Sequence, residues 1–205
     1  MRPGTLVACA AVALLPVGPA LFAGPPPGAH QQAATWIIDP NHSSVEFRIR
    51  HLVSHVTGNF RQWSGTIVGD PADWSTATVA VTIQAASIDT RNGTRDDDLR
   101  SDDFFDVTKY PTITFRSTGV EVSGAELRIS GDLTMHGVTR PVVLDAEYLG
   151  KTGSGDQTKV GFHAETKLDR TDYGVTWNRA VEGGGVLLGD DVEISIDLEA
   201  RLDQS

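Results

Sequence analysis

The sequence predicts an all-β fold, an eight-stranded antiparallel β-barrel with one or two short helical insertions. Three observations predict it. Apolar and polar residues alternate with a period of two along most of the chain beyond Trp36, the pattern of half-buried strands. About eight such segments follow one another, punctuated by turn residues and with no βαβ alternation or internal repeat. Each has one apolar face, and closing the sheet on itself covers that face and removes sticky edges. A two-sheet sandwich satisfies the same pattern, so closure is an inference.

In order, Val45, Phe47 and Ile49 alternate with Glu46, Arg48 and Arg50. A strand spans 59–68, and the next alternates Val79, Val81 and Ile83 with Thr78, Ala80 and Thr82. Helical character is expected at 95–101, and a helical turn or irregular loop at 171–177. Strands then read as 113–122, 126–135 and 142–149, with turns at Gly124, Gly137 and 152–156. His136-Gly137 suits a hairpin with positive backbone angles. Val160, Phe162, Ala164 and Leu168 share one face, opposite His163, Glu165 and Lys167. The last strand is the clearest, with Val192, Ile194, Ile196, Leu198 and Ala200 on one side and Glu193, Ser195, Asp197, Glu199 and Arg201 on the other.

The first residues differ. Met1-Arg2, an apolar run over 6–15, and then Pro16, Gly18 and Pro19 with small residues read as a secretory signal peptide over 1–23. Ala20, Ala23 and Ala34 are all candidate cleavage positions, and a frayed cytoplasmic tail is the alternative. The run is too short and too broken by proline for a stable membrane span. Residues 24–35 form a disordered lead-in rich in Pro, Gly, Ala and Gln, and 36–205 form the barrel. The expected location is periplasmic or secreted. Cys9 is the only cysteine, so removing the leader leaves no disulfide, thiol nucleophile or thiolate metal site. With 17 basic against 27 acidic residues, the surface repels phosphate backbones and anionic headgroups, which argues against nucleic acid.

Chemical motifs are absent. His42, His51 and His55 lack a spacing that gathers three ligands, since four residues along a strand span ~13 Å; no metal is expected. There is no nucleophile elbow, and Gly183-Gly184-Gly185 lacks the residues of a phosphate loop. The acidic residues at 96–98, 102, 103 and 106 do not have calcium-loop spacing; the first three suit a helix N-terminus. No catalytic residue is assigned. An enzyme using Asp96 or His51 as acid or base, and a filled barrel that only binds partners, are the alternatives to a ligand chamber. Eight strands are the size at which the interior is either filled or holds one slender ligand. Phe104-Phe105 after the short helix suits a cap over one end.

These residues resemble the YceI-like family of lipid- or polyisoprenoid-binding proteins. The likeness rests on Trp36-Ile37-Ile38-Asp39-Pro40-Asn41-His42-Ser43, on Val56-Thr57-Gly58-Asn59-Phe60, and on Ser87-Ile88-Asp89-Thr90 with Arg95-Asp96, Asp103-Phe104-Phe105-Asp106 and Tyr110-Pro111. Gly131-Asp132-Leu133-Thr134, Gly137 to Pro141 and Gly185 to Asp190 complete it. The resemblance implies a lipocalin-like barrel with an elongated apolar pocket for an isoprenoid quinone or similar chain, no other cofactor, and no agreed catalytic activity. A homodimer stays open. Lipid-binding residues on this reading are Phe47, Ile49, Val81, Phe115, Leu133, Leu144, Tyr148, Phe162, Ile194 and Ile196 along the tube, with Phe104, Phe105 and Trp177 near an end. Asp98 stands where the family often has His, and a carboxylate cannot donate a hydrogen bond at neutral pH.

Overall fold

The computed structural model describes residues 33–182 and 184–204. The expected signal peptide, the lead-in as far as residue 32, Cys9 and His30 lie outside the described residues, as does Gly183.

Eleven strands make one antiparallel sheet. They are β1 (Ala34–Ile38), β2 (Ser44–His51), β3 (Ser54–Phe60), β4 (Trp63–Asp70), β5 (Asp73–Gln84), β6 (Ile88–Asp89), β7 (Thr112–Ser123), β8 (Glu126–Met135), β9 (Val138–Thr152), β10 (Lys159–Asp169) and β11 (Leu188–Leu202). The register reduces them to eight barrel staves. β2 pairs with β3 while β1 pairs with β4, so β1 with β2 is one interrupted stave and β3 with β4 the next. β5 with β6 is the third, because β4 pairs with β5 and β3 with β6. β11 pairs with both β2 and β1, which closes the ring. The barrel is therefore a simple up-and-down meander, and one helix, α1 (Gly93–Arg100), interrupts it.

The interruptions correct the expectation of an unbroken strand over 59–68. Phe60 and Trp63 are both buried although three apart, and strict alternation cannot send both inward. Residues 61–62 absorb the odd spacing: Arg61 N–H donates to the Ser87 carbonyl and Gln84 N–H to the Gln62 carbonyl. The same parity change separates buried Ile38 from Val45, and Ile83 from buried Ile88. Three neighbouring staves thus switch face together, which lets the wall bend without losing its lining.

In a closed meander, alternate connections lie at opposite ends. The 70–73, 123–126 and 152–159 connections mark one end; the β2–β3 turn, α1, the β8–β9 turn and the long 170–187 connection mark the other. Aromatic rings stop the first end. Trp74 lies 6.3 Å from Trp36, 5.5 Å from Tyr148 and 5.1 Å from Phe162, centroid to centroid. The Trp36 indole N–H donates to the Gly69 carbonyl at 3.2 Å. At the second end His136 and Gly137 both have positive φ, 51° and 75°, as a two-residue turn of the expected kind requires.

Candidate functional site

Above the aromatic plug the interior is open. A cavity of about 560 Å³ runs toward the second end, within the ~300–1,000 Å³ of small-molecule sites. Its wall comes from inward positions of every stave, as period-2 alternation dictates. Phe47, Ile49, Val81, Phe115, Leu133, Leu144, Phe162, Ile194 and Ile196 all border it, with Phe104, Phe105 and Trp177 near the open end. Two glycines set its width: a Cβ on Gly58 would meet the Phe47 ring at 2.5 Å, and one on Gly131 would collide with the Phe115 ring. The rings lie flat against the opposing backbone instead of filling the lumen.

Tyr148 is the exception among the expected tube residues. It points inward but does not border the cavity, because Trp74 and Phe162 cover it from above. Burial pushes its phenol pKa up. Sequence reasoning could not see this, since Trp74, one of the two rings that cover it, lies 74 positions away in the chain.

The open end depends on irregular backbone held by polar side chains. Asn92 caps α1 by accepting from the Arg95 N–H at 3.1 Å, so the helix starts at Gly93 rather than at Arg95. Asp96 is buried and accepts from the Thr90 N–H at 2.9 Å and the Thr90 hydroxyl at 2.5 Å. Arg100 donates to the Ala86 and Ile88 carbonyls. These bonds fix α1 over the rim and place Phe105 against Phe60 (6.1 Å) and Phe104 against Trp177 (5.2 Å).

Trp177 is positioned by Arg170, a residue sequence reasoning missed. It is 4% exposed and donates to the carbonyls of Gly189, Val175 and Trp177 at 3.0, 2.5 and 3.0 Å and to Asp190 Oδ1 at 3.1 Å. It opens a 3-10 turn, Arg170–Tyr173, so the expected helical turn over 171–177 is one turn followed by loop. A lone arginine after a strand carries no sequence signal of burial; only the convergence of carbonyls on it reveals the role.

Polar groups bordering the cavity are few: His51, Arg95, Asp98, Asp103, Thr166 and Arg170 among the described residues. No hydrogen bond joins His51, Asp98 and Asp103 into an acid–base couple there. Asp96 is turned toward Thr90. The three histidines weighed for metal are dispersed, with His51 at the mouth, His55 beside Arg48 on the outer wall and His42 against Asp39. Asp39, His42 and Glu199 do bring ligand atoms within 4.8 Å of one another. Lys159 already donates to Glu199 at 2.7 Å, so a cation entering there displaces an ammonium group. The hydrogen bond from His42 holds the Asp39 pKa below its ordinary value.

Comparison with known proteins gives a consistent set of likenesses. A model of the YceI-like domain matches residues 36–200. A UPF0312 protein of Staphylococcus aureus is 37% identical over 169 residues, covering 81% of this chain and 96% of that protein. The crystal structure of the Campylobacter jejuni YceI protein superposes with a TM-score of 0.68 at 36% identity, over 76% of this chain and 91% of that one. A polyisoprenoid binding domain from Saccharophagus degradans, implicated in plant cell wall breakdown, shares the fold with a TM-score of 0.60 at 16% identity, over 84% of this chain and all of that one.

Proposed function

This chain belongs to the YceI-like family, and from that footing we propose that it is an exported, non-enzymatic protein that holds one polyisoprenoid-type chain, an isoprenoid quinone or a relative of it, for transport or storage. The observation that carries the reading is a closed barrel with an open, almost wholly apolar interior of about 560 Å³. A polyisoprenoid binding domain of the same fold supports the class of cargo. Each isoprene unit removed from water contributes on the order of 4 kcal/mol gross, at ~0.8 kcal/mol per carbon group. Ordering costs offset much of that, so affinity resides in the tail. No positioned acid–base pair is needed for such binding, and the cavity holds none among the described residues. A barrel packed solid has no such space, which counts against the filled-barrel alternative. The leader-like first 23 residues support export.

Mass spectrometry of an organic extract of the protein, purified natively from its own host, tests this directly. A stoichiometric prenyl lipid or quinone is expected, and the native mass of the same sample reads the leader's removal and any homodimer. Reproducible absence of lipid, with the fold intact and no uptake of added quinone, overturns the reading. Leu144→Trp, which narrows the lumen without adding charge, is expected to lower loading several-fold.

A further inference from the structure

Seven large apolar side chains are conspicuously exposed on the described surface, and three of them sit together beside the cavity mouth. Val53 is fully exposed at 103%, Leu52 is 41% exposed and Val186 is 40% exposed. Leu52 and Val53 form the tip of the β2–β3 hairpin, where His51 pairs with Ser54. The Leu52 N–H donates to the Leu187 carbonyl at 2.9 Å, which joins the tip to the loop carrying Val186. His51 and Leu187, their neighbours, border the cavity. The patch is thus continuous with the lumen wall.

The turn itself is built against local preference. Leu52 has φ of 53°, a left-handed angle that a two-residue hairpin ordinarily gives to glycine or asparagine. Arg50 holds it there by donating to the Leu52 carbonyl at 3.2 Å. Strain at a bulky apolar residue on an exposed tip points to selection for what the tip displays.

Charge around the patch differs from the rest of this acidic chain. Arg50 and Arg179 flank it, and neither has an acidic partner among the described residues. His55 stands opposite Arg50 across the hairpin. Arg48, further down, is neutralised by Glu193 at 2.9 Å. The 170–187 connection carries Asp172 and Glu182, and Asp190 just beyond it is engaged by Arg170 at 3.1 Å; Asp97, Asp98, Asp102 and Asp103 belong to α1 and the segment after it.

We propose that the Leu52–Val53 tip and the loop around Val186 dock on a lipid bilayer carrying anionic headgroups, with Arg50 and Arg179 at the headgroup level and the apolar side chains among the upper acyl carbons. The proposal rests on the carrier reading for its purpose: an apolar chain crosses water only at a large cost, so a mouth that touches the bilayer gives it a continuous apolar path. Three aliphatic side chains and two arginines give weak, reversible attachment of the kind a shuttling carrier requires.

Flotation of the protein, purified natively from its host, with phosphatidylcholine vesicles, with and without phosphatidylglycerol, tests the surface. Co-flotation is expected on the phosphatidylglycerol vesicles and falls with added salt. Val53→Asp is expected to lower the bound fraction about tenfold, the factor that ~1.4 kcal/mol represents. Arg50→Gln with Arg179→Gln lowers it roughly fivefold per charge on the anionic vesicles alone. Equal binding by wild type and Val53→Asp, or no flotation of wild type on either vesicle, overturns the proposal. Loading with menaquinone-4 delivered from ethanol is measured beside it, and Val53→Asp is expected to load normally by that route. Failure of every variant to load from ethanol removes the carrier reading; the docking surface then stands or falls on flotation alone.

Discussion

The two ends of the barrel are built by opposite means. The blind end is stopped by packed rings: Trp36, Trp74, Tyr148 and Phe162 stack at 5.1–6.3 Å on strand residues, with the Trp36 indole N–H donating to the Gly69 carbonyl. The mouth is shaped by backbone that has left the sheet, and its apolar pieces hang on polar anchors. Arg170 holds the segment bearing Trp177, and Thr90, Asp96 and Arg100 hold α1. The blind end therefore resists chiefly by burial, while the mouth is divided into local units that can open without breaking the ring. That division suits a container that is filled from one side.

Removing the centre of the plug gives the largest expected effect. Trp74→Ala deletes a ring 4% exposed that touches the other three, and is expected to cost about 3–5 kcal/mol, read as a lower denaturant midpoint. A loss near 1 kcal/mol would mean that the blind end is not where stability is concentrated. Arg170→Ala strikes the mouth. It leaves three carbonyls and a carboxylate without their donor and is expected to cost about 2–4 kcal/mol. Hydrogen exchange distinguishes it from the first variant: protection falls at 170–190 while the blind end keeps its protection. Uniform loss around the barrel would merge the two regions into one cooperative unit.

Leu52→Gly changes the mouth in the other direction. Relieving the left-handed leucine is expected to raise stability by up to about 1 kcal/mol, with lower vesicle binding as the counterpart. No gain would show that the tip is not strained in solution. The smallest effect lies on the outer wall between the ends. His163 bonds to Asp197 at 2.9 Å and Glu165 at 3.3 Å, and these two carboxylates raise its pKa above 6.5. With the folded pKa above the unfolded one, its contribution is complete below about pH 6.5 and is lost as pH rises through the folded value. The side chain is 34% exposed, so solvent screening keeps the effect below about 1 kcal/mol. A pH titration of stability should lose that step in His163→Gln; an unchanged curve would assign the step elsewhere.

Alternation in β2, β5, β10 and β11 made the lining legible, because the apolar face of each strand has to turn toward a shared interior. Phe47, Phe162 and Ile194 could be placed inward from their neighbours in the chain alone. Legibility failed at residues 61–62, inside a strand expected to run over 59–68, and phase changes at 39–43 and 85–87 accompany it on the neighbouring staves. Those switches are driven by pairing between staves, such as Arg61 with the Ser87 carbonyl, and leave no mark in local sequence. Tyr148 failed for a related reason: its face was readable, and the ring above it was not.

By itself, then, the sequence determined the strand periodicity, the number of apolar faces to be covered and the residues that cover them, since these follow from side-chain hydrophobicity at a spacing of two. Only the tertiary structure decided which inward residues border empty space, that Arg170 is buried as the anchor of the mouth, and that Leu52, Val53 and Val186 meet beside it. Those facts arise from contacts between distant positions, such as Leu52 with the Leu187 carbonyl, fixed by ring closure and shared carbonyls, and local periodicity carries no information about either.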